Sequence, residues 1–224
     1  MSVFNRVIKA PLFVAVEFIL SACCSGAIIY PKAPEGGQEM VLKSVSEVLP
    51  KLAQGHHLIG VRLDDLVIAK PFQIYFAWQT NWISGEFLST AKYGIGGGWQ
   101  YLVTRGTNVV LMMSVNADEQ TGKALKCLVP LYADPANEDF TLNQQLQALR
   151  LAEQLPQAQT RDYEVRWLAM PWISFAAVWL HGKSDDIIIP LPDSLGRWKG
   201  FRPYSEKGMA NTLREVDRLY IKHN

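Results

Sequence analysis

The sequence has few cysteines and no excess of either charge. Its 224 residues include only three cysteines, Cys23, Cys24 and Cys127, and no C-x-x-C pair, so neither a disulfide scaffold nor a cysteine zinc site is predicted. The 22 basic and 21 acidic residues nearly cancel, and no run of Lys or Arg exceeds two residues. Nucleic-acid-binding proteins usually carry a basic face, so the sequence disfavours nucleic acid as a partner.

The short motifs of catalysis are also missing. The chain has no G-x-S-x-G, no H-E-x-x-H and no protein-kinase motif set. The glycines at 94–98 are followed by a predicted strand, whereas the glycines of a dinucleotide site open a helix. Cys127 lies inside a predicted strand, where cysteines are mostly buried apolar residues. No catalytic residue, no metal and no cofactor is therefore predicted.

The N-terminal segment is the most informative part of the sequence. Arg6 and Lys9 precede a short apolar run that ends in small residues. A basic start, an apolar run and small residues form the outline of a secretory signal. The end of the run, Leu20-Ser21-Ala22-Cys23, resembles the lipobox of bacterial lipoproteins. The resemblance covers this segment only and implies nothing about the fold that follows.

The lipobox resemblance implies that residues 1–22 are a signal peptide and that Cys23 is acylated after cleavage. Residues 23–37 are then interpreted as a linker, and residues 38–224 as a single α+β domain. The implied location is the bacterial cell envelope, with a lipid anchor as the membrane contact. Two alternatives stay open. Residues 10–30 are long enough to cross a bilayer once, or they form part of the core of a cytoplasmic protein.

The apolar patterns of the remaining chain predict an order of strands and helices that repeats. A helix is predicted over 39–53, with strands over 58–62 and 66–78 (the latter interrupted by Pro71) and a long loop over 79–98. Two similar units follow. The first has strands at 99–104, 108–115 and 125–132 and a helix from Thr141 to Pro156. The second has strands at 163–169, 172–180 and 186–191 and a helix capped by Ser205. This order predicts an α+β fold: an antiparallel sheet built from two meander-then-helix units, with the helices packed on one face.

Aromatic residues flank the glycine-rich loop. Trp82, Tyr93 and Trp99 are predicted as possible ligand contacts, because exposed rings beside a loop form binding platforms. The function predicted first is a non-enzymatic envelope lipoprotein whose domain binds a partner protein or a small ligand. The second is a cytoplasmic interaction protein with its N-terminus in the core. The third is an enzyme whose site is assembled from dispersed residues such as His57, Asp65, His181 and Asp186.

Overall fold

The protein is described by a computed structural model. The described residues are 26–54, 58–77, 88–89, 91–93, 98–128, 131–132 and 142–223. They form twelve strands of one mostly antiparallel sheet and four α-helices. The predicted α+β class is confirmed. The predicted signal peptide, Cys23, His57 and Trp82 lie outside the described residues.

The strands vary widely in length. They are β1 Ile28–Ile29, β2 Val67–Ile68, β3 Phe72–Phe76, β4 Lys92–Tyr93, β5 Trp99–Arg105, β6 Asn108–Ala117, β7 Ala124–Cys127, β8 Leu131–Tyr132, β9 Tyr163–Met170, β10 Phe175–Gly182, β11 Asp186–Pro190 and β12 Tyr204–Ser205. The helices are α1 Gly37–Gln54, α2 Leu142–Gln154, α3 Pro156–Thr160 and α4 Glu206–His223. The sheet order is β12-β11-β10-β9-β3-β5-β6-β7.

The centre of the sheet is a parallel pair that the sequence pattern did not predict. Strand β3 lies parallel to β9, with Gln73 opposite Arg166 and Phe76 opposite Ala169. On either side the chain runs antiparallel, from β5 to β7 and from β9 to β12. The β3–β9 pair therefore joins two antiparallel runs that are distant in the sequence.

Helices cover both faces of the sheet, so the prediction that they pack on one face is wrong. Strand β10 shows why: Val178 and Leu180 pack with α2 on the first face, whereas Ala177 and Trp179 pack with α4 on the second face. Successive side chains of a strand point to opposite faces, and here both sets are apolar and buried. Such a strand needs cover on both sides. Helix α1 also lies on the second face, over β5 and β6.

Two local predictions are also corrected. Residues 58–62, predicted as a strand, form a turn in which Gly60 has a positive φ of 72°, and a 3-10 turn over Leu63–Asp65 follows. Pro156 does not simply close α2. It is the first residue of the short helix α3. The amide of a first helical residue has no partner within the helix, and proline, which lacks the amide hydrogen, suits that position.

Two of the helix signals in the sequence are confirmed. In α1, the apolar residues Val41, Val45 and Leu49 are buried against the sheet, and Pro50 lies inside the helix near its end. The hydroxyl of Ser205 accepts a hydrogen bond from the amide of Gly208 at 3.2 Å, as an N-cap residue does.

The chain is attached to the domain from Gly26 onward. The amide of Gly26 donates to the carbonyl of Gln159 at 2.8 Å, and the amide of Tyr163 donates to the carbonyl of Ala27 at 3.0 Å. Strand β1 then pairs in parallel with the start of β9. A side chain at Gly26 would lie 2.1 Å from the backbone nitrogen of Arg161, so only glycine fits there. Over its described part, the segment interpreted as a linker is thus bound to the sheet.

Candidate functional site

A groove lies on the second face of the sheet, at strands β3 and β5. It has a volume of about 620 Å³, within the usual range of small-molecule sites. Gln73 and Trp99, which are opposite each other on β3 and β5, form its floor. One wall is the segment of residues 32–35, and the other is the turn between β6 and β7.

Backbone hydrogen bonds join the two walls. The amide of Glu35 donates to the carbonyl of Gly122, and the amide of Ala124 donates to the carbonyl of Glu35, both at 2.9 Å. The β6–β7 turn is held from within by Asp118, whose carboxylate accepts from the amides of Gln120 and Thr121 at 2.9 and 2.8 Å. These bonds lower the pKa of Asp118, the bonds from Thr121 most. The groove therefore has preformed walls.

The lining of the groove carries more negative than positive charge. Among the described lining residues, Glu35, Asp118 and Glu119 are acidic and Lys32 is basic. Gln73 and Thr121 add an amide and a hydroxyl group. Carboxylates accept hydrogen bonds and attract cations. The arrangement favours a small ligand that carries positive charge and hydrogen-bond donors.

An aromatic and charged cluster adjoins the groove at Gln73. The guanidinium of Arg166 lies over the rings of Tyr75 and Trp179, 4.7 Å from each centroid. Its Nε donates to Glu164 at 2.6 Å. The hydroxyl of Tyr75 donates to the Oε1 of Gln73 at 3.0 Å, which links the cluster to the floor of the groove. Burial raises the pKa of Tyr75, and Glu164 adds to this while Arg166 opposes it, so the hydroxyl stays protonated as a donor.

The cluster continues to a histidine and an aspartate. The Nδ1 of His181 lies 2.8 Å from the Oδ1 of Asp186, and the same oxygen accepts from the indole of Trp179 at 2.8 Å. The carboxylate therefore orients both rings, which lie edge to face. The histidine side chain is 41% exposed. A histidine oriented by a carboxylate is a component of many acid–base sites.

The structure brings together some of the residues that the sequence singled out. The backbones of Tyr93 and Trp99 pair with Tyr75 and Gln73, so they lie at neighbouring positions beside β3. Trp99 lines the groove but is only 5% exposed. The ligand contacts of Trp82, Tyr93 and Trp99 stay a prediction.

Of the dispersed histidine and aspartate candidates, His181 and Asp186 meet. Asp65 instead accepts a hydrogen bond from the amide of Arg62 at 3.1 Å in the 3-10 turn, which packs beside α1. The thiol of Cys127 is half-buried and lies 3.7 Å from the carbonyl of Leu128, and burial raises its pKa, which opposes a reactive thiolate.

Sequence reasoning missed Gln73, Glu164 and Arg166. The one available signal was alternation, since Glu164 and Arg166 are the polar positions of the strand beginning at Tyr163. Within the described ranges, no group of three or more His, Cys, Asp or Glu side chains is placed to hold a metal ion. None of the helices in the described part of the chain is long and apolar enough to cross a membrane.

Comparisons of the chain with family models, with curated proteins and with solved structures each gave no match.

Proposed function

We propose that the chain is a non-enzymatic lipoprotein of the bacterial cell envelope whose α+β domain binds a small cationic ligand in the groove on the second face. The observation that carries the ligand-binding part is the groove itself, with joined walls and an acidic lining. The envelope part rests on Leu20-Ser21-Ala22-Cys23. The domain would consist of two meander-then-helix units, whose helices α2 and α4 lie on opposite faces.

The charges of the groove direct the choice of ligand. The side chains of Glu35 and Glu119 are exposed, whereas the carboxylate of Asp118 accepts the two amide hydrogen bonds that hold the β6–β7 turn. The two glutamates are thus available for a ligand, whereas Asp118 holds the turn. A flexible polyamine is a suitable probe, because its amines are spaced cations with several donors each.

Calorimetric titration with spermidine tests this part of the proposal, with citrate as the anionic control probe. We expect spermidine to bind and citrate not to bind. Exchanging Glu35 or Glu119 for Gln should weaken spermidine binding by up to about fivefold each, the effect of losing one exposed charge pair. The matched control is Glu47→Gln, an exposed glutamate further along α1. Equal loss in Glu47→Gln, or no binding by the parent protein, contradicts a cationic ligand in the groove.

Intact mass and fractionation after expression in a bacterium test the envelope part. We expect loss of residues 1–22 and a diacyl or triacyl mass on Cys23, in the membrane fraction. Cys23→Ala should abolish the modification, and the matched variant Cys24→Ala should retain it. An unmodified chain starting at Met1 or Ser2 in the soluble fraction would instead support the cytoplasmic interaction protein.

A second candidate function is an enzyme, and one observation favours it. His181 is oriented by Asp186 and is partly exposed beside the groove cluster. A general base needs this orientation together with a substrate within hydrogen-bond reach. If a hydrolytic or transfer activity is found, His181→Gln should abolish it while leaving spermidine binding unchanged.

A further inference from the structure

The domain begins very close to the proposed acylation site. Gly26 is the third residue after Cys23, and its amide is already bonded to Gln159. Three extended residues span at most about 11 Å. Ala27 adds two more attachments, since its amide donates to Asp162 at 3.0 Å and its carbonyl accepts from Tyr163. A lipid on Cys23 would therefore be followed by almost no free tether.

The attachment point lies at one end of the sheet, here named the tether end. It consists of α3, the start of β9 and the turn over residues 183–185, because Gly182 on β10 lies opposite Tyr163. The opposite end, named the far end, contains the 3-10 turn Pro171–Ile173 and the turn with Leu195. Arg197 connects these two turns by donating a hydrogen bond to the carbonyl of Ile173. The eight residues of β9 separate the two ends by about 23 Å.

We infer that the short tether holds the tether end on the head groups of the lipid bilayer, so that the far end faces the aqueous phase. This inference rests on the proposed function, because it takes the acylated Cys23 as its premise. The surface of the tether end is not basic, because Arg161 pairs with Asp185 at 3.1 Å and Asp162 is also exposed there. Exposed apolar side chains occur at both ends, Ile29 at the tether end and Leu195 at the far end. The orientation therefore rests on the short tether.

Spin labels at the two ends test the orientation. The acylated protein is purified with Cys24→Ser and Cys127→Ser and labelled at Lys183→Cys or at Leu195→Cys, two exposed positions. It is reconstituted into vesicles of phosphatidylcholine and phosphatidylglycerol that contain a nickel-chelating lipid. We expect the nickel to relax the label at position 183 at least about threefold more than the label at 195, because the two differ by about 23 Å in height. Equal relaxation overturns the inference.

A lengthened tether provides the matched control. About twelve Gly/Ser residues inserted between Ser25 and Gly26 have a root-mean-square length of about 19 Å, enough to let the domain turn over. The difference between the two labels should then disappear. If it persists, something other than the short tether orients the domain, and the inference is wrong.

Intact mass of each preparation separates the two ways of failing. A lipid mass on Cys23 with equal relaxation at 183 and 195 refutes the orientation and leaves the lipoprotein assignment standing. An unmodified N-terminus refutes the lipoprotein assignment, and the orientation with it.

Discussion

Two arginines in different regions of the molecule make the same kinds of contact in different surroundings. Arg197, in the loop between β11 and β12, pairs with Asp193 through two parallel bonds, Nε to Oδ2 at 2.9 Å and Nη2 to Oδ1 at 2.7 Å. It also lies over the ring of Trp198 at 4.6 Å and donates to the carbonyl of Ile173. The side chains of the pair are only 13% and 4% exposed.

Arg166 lies on the second face. Its side chain is 16% exposed, nearly as little as that of Arg197, but its partner Glu164 is 34% exposed. One bond joins the two, and two rings hold the guanidinium in place. Through Tyr75, its position affects Gln73 on the floor of the groove. The two pairs differ in the burial of the carboxylate: the closed pair, with Asp193 buried, stabilises a loop, whereas the half-open pair, with Glu164 partly exposed, shapes a surface beside a candidate site.

The largest effect is expected from breaking the closed pair. Arg197→Met should lower the free energy of unfolding by about 3–5 kcal/mol, because it leaves the carboxylate of Asp193 buried without its partner. Urea unfolding measures this. The matched control is Arg202→Met, an exposed arginine of the same loop, which should cost under about 1 kcal/mol. Similar losses in the two variants would show that the buried pair of Arg197 and Asp193 does not stabilise the loop.

The closed pair should also make stability depend on pH. Burial alone would raise the pKa of Asp193, but the hydrogen bonds and the charge of Arg197 outweigh it and hold the pKa below its ordinary value. The pair therefore stabilises the fold above the unfolded pKa of about 3.9. That stability is lost as pH falls through the lower, folded pKa. Urea midpoints measured from pH 6 downward should fall less steeply in Asp193→Asn than in Leu195→Ala, the control from the same turn.

A smaller loss is expected at the half-open arginine. Arg166→Met should lower the free energy of unfolding by about 1–2 kcal/mol, since it removes two cation–π contacts but leaves a carboxylate, Glu164, that water can still reach. The free energy of unfolding of Arg166→Lys should lie between those of this variant and the parent, because an ammonium group keeps the charge but cannot stack as a planar guanidinium does. Urea unfolding again provides the measurement. A loss as large as that of Arg197→Met would show that the two arginines do not differ in role.

The smallest effect is expected at the exposed carboxylate of the half-open pair. Glu164→Gln should cost under about 1 kcal/mol, because solvent screens a pair in which one partner is a third exposed. Added salt should reduce the difference between Glu164→Gln and the parent, which can be followed by urea unfolding at low and high ionic strength. A difference that is independent of salt would indicate that Glu164 acts through packing.

Local structure could be predicted from this sequence, because its signals lie within a few residues of one another. The β5–β6 hairpin follows from Arg105-Gly106-Thr107, with Gly106 at a φ of 59°. The cap at Ser205 follows from its position before an amphipathic stretch. The face chosen by each helix could not be predicted in this way, because it depends on which strands become central and therefore need cover on both sides.

The candidate site was harder to predict for the same reason. Gln73 and Arg166 meet only because β3 and β9 pair in parallel, and no short-range signal specifies that pairing. The walls come from residues 32–35 and from the β6–β7 turn, which are also distant in the chain. Trp99 could be predicted as a candidate from its neighbouring aromatic residues, but its nearly complete burial could not.

The parallel pairing of β1 with β9 has a mechanical consequence. A force pulling on the N-terminus would act along the axis of β1 and load its backbone bonds to β9 together, in shear. Strands pulled in shear resist more than strands that are peeled apart one bond at a time. Because there is no room for a side chain at Gly26, any larger residue there would move β1 away from β9 and weaken the hydrogen bonds between them. The first few residues of the domain thus determine how firmly it withstands tension from whatever holds its N-terminus.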